Sequence, residues 1–417
     1  MEQFWTKIKT SPVNRPLCER LRERTLPLVL WGMGDVGLAL FQLLQKEGIP
    51  VAAVVVYEAY FKEGTEFCGF RVETFKSVSQ RFAHYDVLVG HAAAQRSVEL
   101  KRIPEVSEVF YVTGLSYGQT EPFSEEFVAA HRAEYEDLAA ALADDLSRDC
   151  LAAFLSARIC DDSAYVWPYA PSRKISYFED EILKLSDHET YLDIGAYNGD
   201  TIEAFLDATG GRYERIIGIE ADDHNFARLL VDGPFCTRMC TSAQGGDCIG
   251  DCIGDGPFVT KDGSVRLYKI GTWNEETTLF LSEDAEETSV LDREAAADAT
   301  TKSMISGHEI KVYPLDSFLR AEGLDSGITL YKINFYAGVL ETLQGSLNLL
   351  KTNRPKIILT VGFDKMALLT LPAFLRENLP DYTYYLRYMQ AMPGRLVLYA
   401  LPMERLMGTG VFSTGKR

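Results

Sequence analysis

The sequence predicts an α/β protein with two units of mostly parallel strands alternating with helices. An apolar run of strand length, a glycine turn and a helical spacing of apolar residues occur in this order from residue 28, and again from residue 191. Each series is followed by a second apolar run that ends at or beside a glutamate. This alternation is typical of parallel sheets covered by helices. The predicted units are residues 1–122 and 176–417, joined by a helical connector at 123–175.

The first unit carries a glycine motif. After a polar lead-in, its first strand runs into a complete G-x-G-x-x-G turn formed by Gly32, Gly34 and Gly37. Glu58 follows the next strand at a distance suited to a ribose contact. These features predict a Rossmann-like unit that binds a sugar nucleotide or dinucleotide, although the same glycines equally permit tight strand–helix packing without a ligand. Its further strands are predicted at residues 50–57, 86–90 and 108–113.

The connector has helical character and no residue that suggests chemistry. Residues 124–161 are rich in Ala, Leu, Glu and Arg, and their larger apolar side chains fall near one stripe. We expect this stripe to pack onto the second unit, and a simple spacer is the alternative.

The second unit begins with the more informative glycine turn. Gly195 and Gly199 lack a Cβ and let the backbone approach a ligand closely, and Asp200 is placed to cap the helix that follows. Glu220 ends the next strand, where a carboxylate can accept hydrogen bonds from both ribose hydroxyls. The turn has too few glycines for a phosphate cradle of the G-x-x-x-x-G-K-[ST] type. An adenosyl amino acid fits better, and S-adenosylmethionine is the predicted cofactor.

The remainder of the second unit alternates between strands, helices and polar segments. A polar, acidic stretch at residues 282–301 predicts a surface loop or a mobile lid. Trp273 follows a strand and is a candidate to stack on an adenine, although an aromatic residue in this position is also typical of a core. Further strands are predicted at residues 265–270, 309–313, 328–334, 356–361, 382–388 and 395–401.

Composition limits the partners. The chain has 417 residues, of which 60 are acidic and 42 basic, for a formal net charge of −18. Such a charge disfavours nucleic acid and anionic membrane surfaces. The N-terminus does not resemble a signal peptide, and no apolar run approaches the roughly 20 residues of a membrane helix. We therefore expect a cytoplasmic protein with neither nucleic-acid nor membrane partners; its oligomeric state stays open.

Four of the eight cysteines lie together in a segment rich in Gly and Asp. Four thiolates can hold zinc in a tetrahedral site, but both pairs here have three intervening residues, whereas two are typical of zinc knuckles. A surface insertion without metal is the favoured interpretation. The four are Cys236, Cys240, Cys248 and Cys252.

Residues 140–401 resemble the FkbM-type, S-adenosylmethionine-dependent methyltransferase family. The order and spacing of several motifs carry the resemblance: LDIGAYNGDT from residue 192, GIEAD from 218, GTW from 271, KINFYAG from 332 and YYLR from 384. It implies a class I methyltransferase fold, with a mostly parallel seven-stranded sheet and an antiparallel edge. The resemblance also places Asp193, Gly195, Gly199, Asp200 and Glu220 around the cofactor. The complete set of predicted cofactor-binding residues adds Ala196, Asn198, Ala221 and Trp273. The first unit resembles Rossmann-like nucleotide-binding domains that precede some sugar-modifying enzymes.

The departures from the family pattern concern its acidic and histidine positions. The family typically shows Lys-x-Asp-x-Glu-Gly where this chain has Lys332, Asn334, Tyr336 and Ala337, so both carboxylates are replaced. Two positions that often carry histidine hold Phe363 and Tyr388. Asparagine and tyrosine are poor bases at neutral pH. We expect Asn334 and Tyr336 to orient an acceptor hydroxyl rather than deprotonate it.

The predicted function is O-methylation of a small molecule or a glycan precursor. The alternative is a catalytically degenerate module that binds the cofactor or a sugar nucleotide and has lost methyl transfer. A weaker alternative is an NAD-dependent oxidoreductase built on the first glycine turn, for which the sequence offers no hydride-transfer constellation.

Overall fold

The computed structural model describes most of the chain, and everything below refers to that part. The described residues are 2–10, 17–90, 100, 102–111, 123–160, 163–171, 175–179, 181–235, 257–282, 289–291, 307–335, 338–362, 364–390 and 393–406. They form a mixed α/β structure with two large sheets and one small sheet. Three predicted features, the four clustered cysteines, Tyr336 and Phe363, lie outside the described residues.

The first sheet has six strands in the order β3-β4-β2-β1-β5-β6. All neighbours pair in parallel except the short hairpin β3–β4, which the sequence pattern did not predict. The glycine turn links β1 to α3, whose Leu40 and Leu44 are fully buried against the sheet. The strands are β1 Leu28–Trp31, β2 Ala53–Val56, β3 Glu66–Phe67, β4 Phe70–Thr74, β5 Tyr85–Val89 and β6 Val106–Tyr111. The helices up to this sheet's end are α1 Glu2–Trp5, α2 Leu17–Glu23, α3 Asp35–Lys46 and α4 Phe75–Arg81.

The connector is helical, as expected, and packs on the second sheet. Its helices are α5 Glu125–Ala130, α6 Arg132–Ala141 and α7 Asp145–Cys160, followed by a 3-10 helix, Ser163–Tyr169. Tyr135, Leu138 and Phe154 share a buried cluster with the sheet. Asp144 forms an ion pair with Arg387 at 2.6 Å. The polar lead-in also joins this cluster: Phe4 is buried in it, because α1 packs on the connector.

The second sheet has eight strands in the order β17-β18-β16-β15-β7-β8-β10-β9. Strands β10, β8, β7, β15 and β16 run parallel, whereas β18, β17 and β9 add antiparallel edges. The order reverses between β7 and β15, and this is where open α/β sheets bind ligands. The strands are β7 Thr190–Ile194, β8 Arg215–Glu220, β9 Phe258–Val259, β10 Val265–Lys269, β15 Leu330–Ile333, β16 Lys356–Thr360, β17 Tyr382–Tyr388 and β18 Leu396–Pro402.

Helices cover this sheet through apolar stripes read correctly from the sequence. Ile202 and Phe205 of α8 are fully buried, as the 3.6-residue spacing predicts. The helices are α8 Asp200–Thr209, α9 Asp223–Val231, α10 Leu315–Ala321, α11 Val339–Gly345, α12 Leu347–Asn353, α13 Ala367–Asn378 and α14 Met403–Leu406. A 3-10 helix, Pro393–Arg395, precedes β18. Domain boundaries at residues 122 and 175 stay predictions.

A third, four-stranded sheet, which we call the wing, includes residues 289–291 and corrects the expectation of a loop or lid for these three residues; residues 283–288 and 292–301 lie outside the described part. Its strands are β11 Gly271–Thr272, β12 Thr277–Ser282, β13 Ser289–Leu291 and β14 Gly307–Tyr313, in the order β11-β14-β12-β13. Strand β13 lies within the expected loop, where it pairs antiparallel with the end of β12. The sequence did not predict this strand because the surrounding segment is acidic and polar. The strand is stabilised by pairing with β12, and such pairing depends on the partner strand rather than on local propensity.

Candidate functional site

A cavity of about 720 Å³ opens at the carboxyl ends of the central strands of the second sheet. Ile194 at the end of β7, Glu220 at the end of β8, Ile270 after β10 and Asn334 after β15 all line it. Its volume is that of a typical small-molecule site. Five predicted site residues line it: Gly195, Asp200, Glu220, Ala221 and Asn334.

The glycine turn uses backbone conformations that only glycine adopts readily. Gly195 has φ +76°, and a Cβ there would lie 3.1 Å from the carbonyl oxygen of Asn334. Gly199 has φ +89° and is itself the cap of α8, with no side-chain hydrogen bond. This corrects the expectation that Asp200 caps the helix: Asp200 is its first residue, exposed and at the cavity. Asn198 supports the turn by accepting a hydrogen bond from the Asp200 backbone N–H at 3.2 Å.

Glu220 joins the turn to the next strand. One carboxylate oxygen accepts a hydrogen bond from the Tyr197 backbone N–H at 2.7 Å, and the other accepts one from the Asp222 N–H at 2.9 Å. The residue is 7% exposed yet lines the cavity. Burial outweighs these hydrogen bonds and raises the pKa of Glu220 to about 7. Each oxygen keeps a free lone pair, so the carboxylate can still accept hydrogen bonds from a ligand.

Asp193 does not line the cavity but lies beneath the turn, paired with Lys332. The Lys332 ammonium lies 2.7 Å from the Asp193 carboxylate, and both side chains are fully buried. The same ammonium donates to the Gly195 carbonyl at 3.1 Å and to the Thr201 hydroxyl at 3.4 Å. Burial opposes the charge on Lys332, but the adjoining Asp193 carboxylate outweighs it and raises the pKa of this lysine. The pair therefore holds the turn in place from below.

Ala196 and Trp273 also lie outside the cavity lining. Ala196 is fully buried in the apolar cluster under the turn. The Trp273 ring packs so closely on Gly338 that a Cβ there would lie 2.4 Å from it. Its neighbours Gly271 and Thr272 line the cavity instead. Trp273 thus joins the wing to the start of α11, and its stacking on an adenine stays a prediction.

Asn334 lines the cavity next to the glycine turn, where its backbone N–H donates to the Ile194 carbonyl at 3.3 Å. Its side-chain oxygen accepts a hydrogen bond from the Thr360 hydroxyl at 2.9 Å. That hydroxyl also lies 3.4 Å from the Tyr177 hydroxyl. Among the described residues, the Asn334 side-chain nitrogen has no hydrogen-bond partner. Tyr336, predicted beside it, lies outside the described residues.

The sequence reading missed two parts of the cavity wall. The wing contributes four apolar side chains, Leu279, Leu281, Ile310 and Val312. Ile310 and Val312 alternate with Glu309 and Lys311, which is the signal of a half-buried strand. In the segment 277–282, Phe280 stands between Leu279 and Leu281 and interrupts this pattern. Arg228 of α9 also lines the cavity; its guanidinium donates to the Tyr197 hydroxyl at 3.3 Å.

In the first glycine turn, neighbouring backbone atoms occupy the space where side chains at Gly32 and Gly37 would lie. A Cβ on Gly32 would lie 2.5 Å from the Gly90 carbonyl oxygen, and one on Gly37 would lie 2.5 Å from the Gly32 carbonyl oxygen. Gly34 has open space around it. Glu58 is exposed at the start of a short 3-10 helix. Tight packing accounts for two of the three glycines, and the predicted nucleotide site stays a prediction.

The described ranges contain no group of three or more His, Cys, Asp or Glu side chains arranged to hold a metal ion. In the same part of the chain, no helix is long and apolar enough to cross a membrane.

Comparison with solved structures finds a likeness over almost the whole chain. The crystal structure of methyltransferase FkbM from Methylobacillus flagellatus KT superposes with a TM-score of 0.65 at 17% sequence identity. The match covers 96% of this chain and 98% of that one. No family model and no curated protein matches the sequence. The resemblance inferred from the motifs is therefore confirmed in the fold: the chain is folded like an FkbM methyltransferase.

Proposed function

We propose that this chain is an S-adenosylmethionine-dependent methyltransferase acting on an oxygen atom of a small molecule or glycan precursor. The observation that carries the proposal is Glu220, a buried carboxylate at the end of β8 that both lines the cavity and holds the glycine turn. A ribose is the ligand group that two free carboxylate lone pairs suit best. The fold likeness to an FkbM methyltransferase supports the same reading.

The residues around Glu220 fit an adenosyl amino acid. Ala221 and Gly271 border the cavity without bulky side chains, and the apolar wing side chains offer a surface for a flat, weakly polar base. Gly195 leaves room for close approach of the backbone, and Asp200 supplies a carboxylate at the same turn. The group that binds here would supply an electrophilic methyl carbon. The chain's own contribution is to hold that carbon in line with the acceptor and to exclude water.

Calorimetric titration with S-adenosylmethionine and S-adenosylhomocysteine tests this proposal. We expect micromolar binding that Glu220→Ala weakens by about 1–3 kcal/mol, because charged hydrogen bonds are worth that much. Glu214→Gln, on an exposed side chain just before β8, is the matched control and should leave affinity unchanged. Failure of the folded wild type to bind either compound would exclude the proposal.

A catalytically silent binding module is the second candidate, favoured by one observation. Asn334 stands where the family resemblance places an aspartate, and an amide cannot accept a proton at neutral pH. Release of S-adenosylhomocysteine during acceptor screens separates the two: binding with no release across hydroxyl and carboxyl acceptors would favour the silent module. Two further parts belong to the proposed function. The first glycine turn binds a sugar nucleotide or dinucleotide, and the protein is cytoplasmic.

A further inference from the structure

Few of the described residues that line the cavity could take the proton of a hydroxyl. Among the described lining residues there is no histidine, lysine or cysteine. The lining carboxylates, Asp200 and Glu220, lie at the glycine turn and the end of β8, where the proposed cofactor binds. The phenols of Tyr177 and Tyr197 also line the cavity. Beyond these groups, the described lining residues offer a neutral alcohol no base at the Asn334 end of the cavity, which we call the acceptor end.

Asn334 presents a hydrogen-bond donor there. Its side-chain oxygen is occupied by the Thr360 hydroxyl, so its NH₂ group is the part left for a ligand. The residue is half-buried and lines the cavity. A donor without a competing acceptor favours an oxygen that carries negative charge, because hydrogen bonds to ionised groups are the stronger ones.

Two aromatic residues are close to Asn334. Phe335 follows it in the chain, and Tyr177 is linked to it through Thr360. Ile175 lines the same cavity, and its backbone N–H donates to the Met389 carbonyl at 3.0 Å. An acceptor that fits this end has an aromatic or aliphatic body and one anionic oxygen group.

We propose that the methyl acceptor is a carboxylate on an apolar body, which makes the protein a carboxyl O-methyltransferase; this rests on the proposed function above. A carboxylate is already ionised at neutral pH and needs no base. One of its oxygens bonds to the methyl carbon through a lone pair. The carbon–sulfur bond breaks and leaves its electron pair on sulfur. A methyl ester and a neutral thioether result, and no proton moves.

The test compares matched acids and alcohols on protein saturated with S-adenosylhomocysteine. The probes are benzoate, cinnamate and decanoate against benzyl alcohol, cinnamyl alcohol and 1-decanol, titrated by calorimetry. We expect at least one acid to bind at least tenfold more tightly than its alcohol. Asn334→Asp should reduce that preference at least tenfold, because it places a like charge against the acid. Asn274→Asp makes the same chemical change on an exposed residue of the described chain and should preserve the preference.

A transfer assay completes the test. With methyl-labelled S-adenosylmethionine, the preferred acid should give a product from which mild alkali releases labelled methanol, as expected for an ester. The acceptor proposal is overturned if S-adenosylhomocysteine binds but no acid does, if an alcohol binds as tightly as its acid, if Asn334→Asp leaves the preference intact, or if the labelled product resists alkali. Absence of S-adenosylhomocysteine binding overturns the proposed function itself, so the two failures are distinguishable.

Discussion

The two glycine turns of this chain look alike in sequence and differ in space. In the first, Gly32, Gly37 and the Gly90 backbone lie against one another, and an added Cβ would meet a carbonyl oxygen at 2.5 Å. In the second, Gly195 lines a cavity of about 720 Å³, and an added Cβ would lie 3.1 Å from the Asn334 carbonyl oxygen. Both turns are therefore packed against backbone, but only the second also borders a described cavity.

The glutamates that follow the two turns differ in burial and in their contacts. Glu58 is exposed, whereas Glu220 is buried, accepts two backbone hydrogen bonds and lines the cavity. A glycine motif followed by an acidic residue therefore does not by itself identify a ligand site. Burial of the acid beside the turn is the distinguishing feature, and it depends on how the strand ends are arranged.

The largest expected effect concerns the support of the second turn. Lys332→Met leaves the Asp193 carboxylate buried without its partner, which should cost about 4 kcal/mol of unfolding free energy. Amide hydrogen exchange should become faster in the peptide that covers β7 and stay unchanged in the peptide that covers β1, because the Lys332–Asp193 pair contacts only the second turn. The double variant Lys332→Met with Asp193→Leu should recover most of the loss. A cost under about 1 kcal/mol for the single change would contradict the role given to the pair.

The next effect tests the packing of the first turn. Gly37→Ala should cost about 3 kcal/mol, because the added carbon meets the Gly32 carbonyl and overpacks the junction. The measurement is amide hydrogen exchange, which should become faster in the peptide that covers β1. As the control, the affinity for S-adenosylhomocysteine should stay unchanged. Wild-type exchange rates in this variant would mean that the backbones are not in contact.

A smaller effect follows from the ionisation of Glu220. Its pKa is about 7 in the folded protein against an ordinary 4.5, so between these values the folded chain holds a proton that the unfolded chain has lost. Stability therefore declines as pH rises through this range, by on the order of 2 kcal/mol, and Glu220→Gln should remove this decline. Urea unfolding of both proteins at pH 5 and pH 8 measures it. Parallel pH profiles would show that Glu220 ionises normally.

Ligand affinity should move with the same group. If ribose hydroxyls donate to the ionised carboxylate, S-adenosylhomocysteine binds more tightly as pH rises from about 6 to about 8. The Glu220→Gln variant should bind weakly and without this pH dependence.

The smallest effect is expected at Gly34, the glycine of the first turn that has open space around it. Gly34→Ala should change stability by less than about 1 kcal/mol, because its φ is −77° and nothing lies near the new carbon. If the first turn does bind a nucleotide, this change should weaken titrated NADH or UDP-glucose without destabilising the protein. Equal binding by wild type and variant would assign the first turn to packing alone.

The sequence determined the local features. Strands β1, β7, β8 and β15 and the two glycine turns follow from patterns spanning a dozen residues, because an apolar run and a glycine impose their conformations locally. The alternation of the elements was enough to predict two parallel sheets. Gly195 and Glu220 could be placed at one site because both follow neighbouring parallel strands.

Only the tertiary structure decided which distant side chains meet. Lys332 and Asp193 form their ion pair although they are 139 positions apart in the sequence. Thr360 and Asn334, which are 26 positions apart, are joined by a hydrogen bond. The lead-in helix joins the core of the second sheet, and the wing closes one wall of the cavity. These contacts depend on the order of strands in the sheet and on antiparallel pairing over long loops. Such pairing is stabilised by burial and partner hydrogen bonds rather than by the propensity of any short segment.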